Sequence, residues 1–240
     1  LFRVCSILRT GVQAVDAGSY VAAKLAHLLL FVYWLGADIG VFYAAAQLRR
    51  RELTLDARQA VLRILTWIDQ IPRYSLVLML PVGYTLANEI GVVRLQRPWI
   101  VATWLVGVVW LWLVWAVYRW QGTALGERLR RIDLAWRFIL VPGLLWDALQ
   151  ALIGKGHLLT PWLGAKVGVL GLCIACGIAI RILGRPLTAT LRDLFAHGST
   201  PQLEERLVAT QRRTRPFVLA IWLLLIVAAW LGIAKPSFGL

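Results

Sequence analysis

Six apolar stretches of roughly bilayer length run through the chain, at 21–47, 73–93, 99–120, 132–153, 161–181 and 216–234. A membrane-crossing helix needs about 20 such residues. Pro72, Pro98, Pro161 and Pro216 stand at or just before the start of four of them, where a missing backbone N–H is tolerated. The composition agrees: 60% of the residues are hydrophobic and 16% charged, with a mean hydropathy of +0.70. Soluble domains carry about 25% charged residues, and disordered chains are far less apolar. The expected fold is all-α: a single integral membrane domain over 1–240, a polytopic bundle of about six transmembrane helices with one or two interfacial amphipathic helices.

The arginines set the expected orientation. Arg49, Arg50, Arg51, Arg58 and Arg63 lie between stretches one and two, and Arg119, Arg128, Arg130, Arg131 and Arg137 between three and four. Arg181, Arg185, Arg192, Arg206, Arg212, Arg213 and Arg215 lie between five and six. The alternate loops carry only Arg94 and Arg97, then Lys155. The positive-inside rule places the Arg-rich loops in the cytoplasm and both termini on the periplasmic side of a bacterial inner membrane. The net charge of +14 then faces anionic membrane lipid rather than nucleic acid. Three cysteines, two within an apolar stretch, make no disulfide framework. Residue 1 is Leu, so the true start is expected upstream. Residues 1–20 carry Arg3 and Arg9 without a long apolar core and do not read as a signal peptide.

Thr54 is positioned to cap a helix running to Gln70 whose Val61, Leu62, Ile64, Leu65 and Ile68 form an apolar side, the pattern of a helix lying in the membrane surface. Residues 201–213 read either as a second such helix or as a solvated connector. Of the thirteen tryptophans, Trp99, Trp120 and Trp162 fall at stretch ends as interfacial anchors. Trp104, Trp110, Trp112 and Trp115 are expected to face lipid or a partner. The run Trp34-Leu35-Gly36-Ala37-Asp38 is echoed by Trp162-Leu163-Gly164-Ala165-Lys166. Both contain GxxxG spacings, Gly36/Gly40 and Gly164/Gly168, read as small-residue packing motifs rather than as a duplication.

Ionisable groups within a span are costly and need a reason. Lys24, His27, Asp38, Glu89, Asp147 and Lys166 are the candidates. His27, Lys166, Asp147 and the Asn88–Glu89 pair each lie about five or six residues, roughly 9 Å, or less from the outer end of their own stretch. Four helices thus bring polar groups to one depth. Trp34 and Asp38 follow His27 by seven and eleven residues, so both return to its helical face within about 20°, with Phe31 beside them. An imidazole, aromatic walls and a deeper carboxylate are what a b-type haem or quinone pocket requires. The competing reading is an isolated His27 hydrogen-bonded to Asp147 or a backbone carbonyl, with Lys166 reaching the interface or pairing with Asp147 or Glu89. His157 and His197 fall in loops, so a second axial ligand would be Lys166, an inward-folded His157, or water. Cys173 and Cys176, spaced i and i+3, offer a copper alternative. Soluble-type catalytic motifs such as a P-loop, GxSxG or a zinc signature do not occur.

Lys24-Leu25-Ala26-His27, with Trp34 seven residues on and then Gly36, resembles the first helix of the HemJ-type protoporphyrinogen oxidases. Without the Lys, it resembles the wider group of copper-resistance-D-type integral membrane proteins. Trp162-Leu163-Gly164-Ala165-Lys166 is similar to a later HemJ-type helix that carries a functional Lys. The resemblance covers about forty residues, and stretches three and four are additions to the smaller HemJ pattern. It implies a helical bundle, bound haem b, and His27 with Lys166 as the functional pair.

The reading that results is a haem b-binding membrane protein with a redox role coupled to quinone or a partner redox protein. His27 is the iron ligand. Lys166 is the second ligand or a proton donor. Asp147 and Asp38 handle protons, and Phe31 and Trp34 wall the ring. The alternatives are a non-enzymatic subunit or assembly factor of a larger membrane complex or homo-oligomer, and copper passage.

Overall fold

The computed structural model describes residues 17–237. The expectations for residues 1–16 and for the extreme C-terminus lie outside the described residues. Eight helices follow in order: α1 (Ala17–Gln47), α2 (Leu55–Ile68), α3 (Gln70–Glu89), α4 (Arg97–Arg119), α5 (Ala124–Leu152), α6 (Pro161–Leu183), α7 (Arg185–His197) and α8 (Pro201–Ala234). The described residues contain no strand, only an isolated antiparallel bridge between Val93 and Leu158. Four helices, α1, α4, α6 and α8, are long and apolar enough to cross a membrane. The other two expected spans become α3 and the second half of α5.

The helices pack in two groups. In the first half α1 lies along α3 and α3 along α4; in the second α5 lies along α6 and α6 along α8. The halves join through α4 against α5, with a smaller contact of α1 on α8. One apolar cluster runs through the bundle, with Val77 and Leu80 of α3, Leu144 and Ala151 of α5 and Ile174 of α6 at its centre. Gly164 and Gly168 bring α6 onto α5: a Cβ at Gly164 would stand 2.4 Å from the Ala151 Cβ, and one at Gly168 3.1 Å from that of Ala148. The matching Gly36 has nothing within 4 Å, so the two GxxxG motifs differ, and only the second supports close helix approach.

The Arg-rich end departs from the sequence reading in three places. Thr54 does cap α2, its Oγ1 accepting from the Ala57 N–H at 3.2 Å. Residues 201–213, however, form no separate helix. They are the first turns of α8, which continues through Pro216, because a proline inside a helix forfeits one hydrogen bond that the long apolar flank and packing outweigh. The second amphipathic helix is α7 instead. Its Leu191 joins Leu48 and Leu207 in a small core, with Val61, Leu62 and Leu65 of α2 packed against it. Third, Arg128, Arg130, Arg131 and Arg137 are not loop residues: α5 begins at Ala124, capped by Thr123.

A buried polar tie binds α2 to α8. Arg58 Nη1 donates to Glu204 Oε1 at 2.5 Å, and its Nε donates to the Arg50 carbonyl at 3.0 Å. Ser199 Oγ donates to the same Glu204 oxygen at 2.6 Å. Residues 201–215 precede the apolar part of α8. Burial there works to raise the Glu204 pKa, but the Ser199 hydroxyl and the Arg58 guanidinium outweigh it and hold the carboxyl below the usual range.

Candidate functional site

A cavity of about 360 Å³ lies between the two halves, away from the Arg-rich end. α1 supplies His27, Phe31 and Trp34; α3 supplies Gly83 and Tyr84; α6 supplies Trp162, Lys166 and Cys173; α8 supplies Gly232 and Ile233. Lys24 also lines it, and its charged lining groups, Lys24 and Lys166, are both basic. The lining residues Leu28 and Ile233 are 53% and 85% exposed, so the cavity opens sideways between α1 and α8, towards the surroundings of the bundle.

Within it Lys166 Nζ stands 3.4 Å from His27 Nε2, across 139 residues of sequence. The other ring nitrogen, His27 Nδ1, is buried without a partner. Gly232 makes room for Lys166, while Gly83 lies at ordinary contact distance from His27. A Cβ at Gly83 would meet the His27 Cε1 at 3.6 Å, and one at Gly232 would meet Lys166 Nζ at 2.7 Å. Buried polar groups are normally satisfied, and an imidazole held beside an amine with its second nitrogen unpaired departs from that rule.

A second cavity, about 260 Å³, lies on the far side of Tyr84 and is lined also by Trp99, Thr103, Asp147 and His157. Tyr84 Oη donates to Asp147 Oδ2 at 3.5 Å, and His157 Nε2 lies 3.8 Å from the same oxygen. The Tyr84 and His157 rings stack at 6.0 Å. The loop before α6 makes this possible. Gly154 and Gly156 take φ of +71° and +87°, values open to glycine at little cost, and turn the chain back. Arg94 N–H then donates to the His157 carbonyl at 2.7 Å, and Leu159 N–H to that of Val92 at 2.9 Å.

The expected site residues therefore divide. His27, Phe31, Trp34 and Lys166 line one cavity. Asp147 lines the other, and His157 folds inward onto Asp147 and Tyr84 rather than towards His27. Asp38 lines neither cavity; it accepts from Trp222 Nε1 at 2.7 Å, at the α1–α8 contact. Cys173 lines the first cavity beside Cys176 on the same helix. Among the described residues no three His, Cys, Asp or Glu side chains converge on one metal position.

One charged cluster is absent from the sequence reading. Asp133, 1% exposed, accepts from Trp110 Nε1 at 2.9 Å, Arg137 Nε at 3.1 Å and Arg181 Nη1 at 2.6 Å. The Arg137 guanidinium also lies 5.1 Å from the centre of the Trp110 ring. Trp110 thus faces inward, unlike Trp104, Trp112 and Trp115 on the same helix, which are exposed. The available signals were the i,i+4 spacing of Asp133 and Arg137 and their place inside the stretch 132–153, close to its Arg-rich end.

For haem iron, two nitrogen ligands at about 2 Å each would stand about 4 Å apart. At 3.4 Å His27 Nε2 and Lys166 Nζ are in hydrogen-bonding contact with each other, so a flat ring between them requires the two side chains to separate. The cavity is within the range of about 300–1,000 Å³ typical of small-molecule sites. An imidazole and an amine thus face one largely apolar cavity with aromatic side chains in its lining. Comparison with known proteins finds no match: no family model, no curated protein and no solved structure.

Proposed function

We propose that the chain is a six-span protein of the bacterial inner membrane that holds haem b in the cavity between its halves. Its redox work would be coupled to quinone or a partner redox protein. Support for six crossings comes from α3, whose 20 residues span about 30 Å, the hydrocarbon thickness. Further support comes from the bridge between the α3–α4 and α5–α6 loops, which puts those loops on one side, the side poor in arginine.

The single observation that carries the function is the His27–Lys166 contact across the two halves, with His27 Nδ1 left unpaired and Gly232 leaving room for Lys166. His27 offers Nε2 as the ligand. Lys166 is the second ligand or a proton donor to the same space. Phe31 and Trp34 supply flat apolar walls. Asp147 handles protons from the neighbouring cavity. Asp38, bonded to Trp222, does so from the α1–α8 contact. When bound, the haem supplies one-electron transfer. The chain's similarity to the HemJ-type pattern names the same His and Lys.

The test is a reduced-minus-oxidised visible spectrum of the detergent-purified chain, with haem content by pyridine haemochrome. A b-type α band near one haem per chain, lost in His27→Ala, is the expected result; a colourless folded protein overturns the reading. A second reading, a subunit or homo-oligomer within a larger membrane assembly, draws on the exposed Trp99, Trp104, Trp112 and Trp115 along α4. It predicts a co-purifying partner, or a size above one chain, in a mild detergent.

A further inference from the structure

The two cavities carry opposite charge. The first has Lys24 and Lys166 as its charged lining groups. The second has Asp147 and no Lys or Arg; the neighbouring Arg94 and Arg97 are exposed and do not line it. Asp147 is poorly matched from within the chain. Charge-assisted hydrogen bonds run about 2.7–2.9 Å, whereas the Tyr84 hydroxyl stands 3.5 Å and His157 Nε2 3.8 Å from its Oδ2. Among the described residues no Lys or Arg forms an ion pair with it. The hydroxyls of the cavity have already used their hydrogens: Tyr84 donates to Asp147, and Thr103 Oγ1 donates to the Ile100 carbonyl at 2.8 Å. Asp147, Thr103 and Tyr84 therefore offer a ligand lone pairs. Three aromatic rings share the lining, Tyr84 and His157 stacked at 6.0 Å together with Trp99, and the faces of such rings attract cations.

We infer that the second cavity binds a primary alkylammonium group. The three N–H donors of such a group match the Asp147, Thr103 and Tyr84 oxygens, and its charge matches the carboxylate and the ring faces. The carbon next to the nitrogen meets apolar lining such as Val106. At about 260 Å³ the cavity falls below the range of about 300–1,000 Å³ typical of drug-sized ligands, which suits a small headgroup. Trp99 and Val106 are 63% and 40% exposed, so the cavity opens at the start of α4, where the end of a span meets lipid headgroups. The ammonium thus has two sources: the ethanolamine headgroup of a phospholipid, and a small soluble amine. The loop before α6 serves this placement, since its two left-handed glycines and two backbone hydrogen bonds hold His157 over Tyr84 and Asp147. The inference does not rest on the haem reading, because the site uses neither His27 nor Lys166.

The test uses the full chain in phosphatidylcholine nanodiscs, titrated calorimetrically with n-butylammonium chloride against empty discs. Saturable binding at one site per chain is expected, weakened about tenfold or more in Asp147→Asn and about threefold in Trp99→Leu. The second variant carries the test if the first fails to fold. Glu89→Gln removes a carboxylate at the end of α3 that does not line the cavity and should bind as wild type does. Two further probes, uncharged 1-pentanol and tetramethylammonium, which is charged but has no N–H, should each bind about tenfold more weakly. Absence of saturable binding overturns the site, as does wild-type affinity in both Asp147→Asn and Trp99→Leu. An equal loss in Glu89→Gln overturns it too, since the attraction would then be general surface charge. Tetramethylammonium binding as tightly as n-butylammonium overturns the assignment to a primary amine. Discs that also contain phosphatidylethanolamine separate the two sources: a weaker apparent affinity marks the lipid headgroup as the occupant, an unchanged one marks a soluble amine, and both keep the site. A colourless protein that binds the amine would sink the haem reading and keep this site. A coloured one that does not bind it would do the reverse.

Discussion

The His27–Lys166 pair and the Asp133 cluster are both sets of ionisable groups inside one helix bundle, and they are built in opposite ways. Asp133 receives three hydrogen bonds, two from arginines and one from an indole, so a buried negative charge is surrounded by its own compensation. His27 and Lys166 are two bases facing each other, with one imidazole nitrogen unpaired and open space beside them. The first arrangement ties α4, α5 and α6 together. The second leaves a buried polar atom without a partner beside open space, the opposite of a fully satisfied polar network.

The largest expected effect falls on the compensated cluster. Asp133→Ala leaves Arg137 and Arg181 as buried cations without their shared anion and should cost about 3–5 kcal/mol. Thermal or denaturant unfolding in detergent would read it. A loss below about 1 kcal/mol would mean the cluster is wetter than its burial suggests, and the contrast with His27 would fail.

The two glycines of the α6–α8 region sharpen the contrast further. Gly164→Ala drives a Cβ into Ala151 on a neighbouring helix and should destabilise by about 1–3 kcal/mol through overpacking, measured in the same melt. Gly232→Ala meets only the mobile end of Lys166. It should leave the melt nearly unchanged and, if haem is held as proposed, shift its visible spectrum or lower its occupancy.

His27→Phe and Lys166→Met should change stability by less than about 1 kcal/mol, since removing an uncompensated buried base relieves as much as it loses. Both should abolish or alter the b-type spectrum. A large drop in melting temperature for either would move the pair into the structural class with Asp133.

The smallest effect is expected at the Arg58–Glu204–Ser199 tie. The Glu204 carboxyl is held below its ordinary value in the folded chain, so its contribution is fully present above the unfolded value of about 4.3. It is lost as pH falls through the lower folded value. Wild type should therefore lose a little more stability than Glu204→Gln between pH 5 and pH 3, and parallel curves would show that the carboxylate charge is not used.

Hydropathy and loop arithmetic made much of this legible in advance. The helical class, the apolar stretches, the Thr54 cap and the six ionisable residues worth examining all follow from local composition and from the 3.6-residue period. So does the face shared by His27, Phe31 and Trp34. The continuation of α8 through Pro216 and the helical character of α7 did not, because proline and charge mark a boundary only on average, and packing against Leu48 and Leu207 decides the case.

What the sequence determined alone is that this chain is a bundle of apolar helices carrying a few costly polar groups. Which of those groups meet was decided by tertiary structure. Lys166 faces His27 and not Asp147; Asp147 faces Tyr84 and His157; Asp38 faces Trp222; Asp133 gathers Trp110, Arg137 and Arg181. The reason is geometric. Hydrophobic periodicity fixes which face of a helix turns inward, but partner choice depends on axial shift and rotation between helices. Those are set by contacts such as Gly164 on Ala151, between residues that only folding brings together.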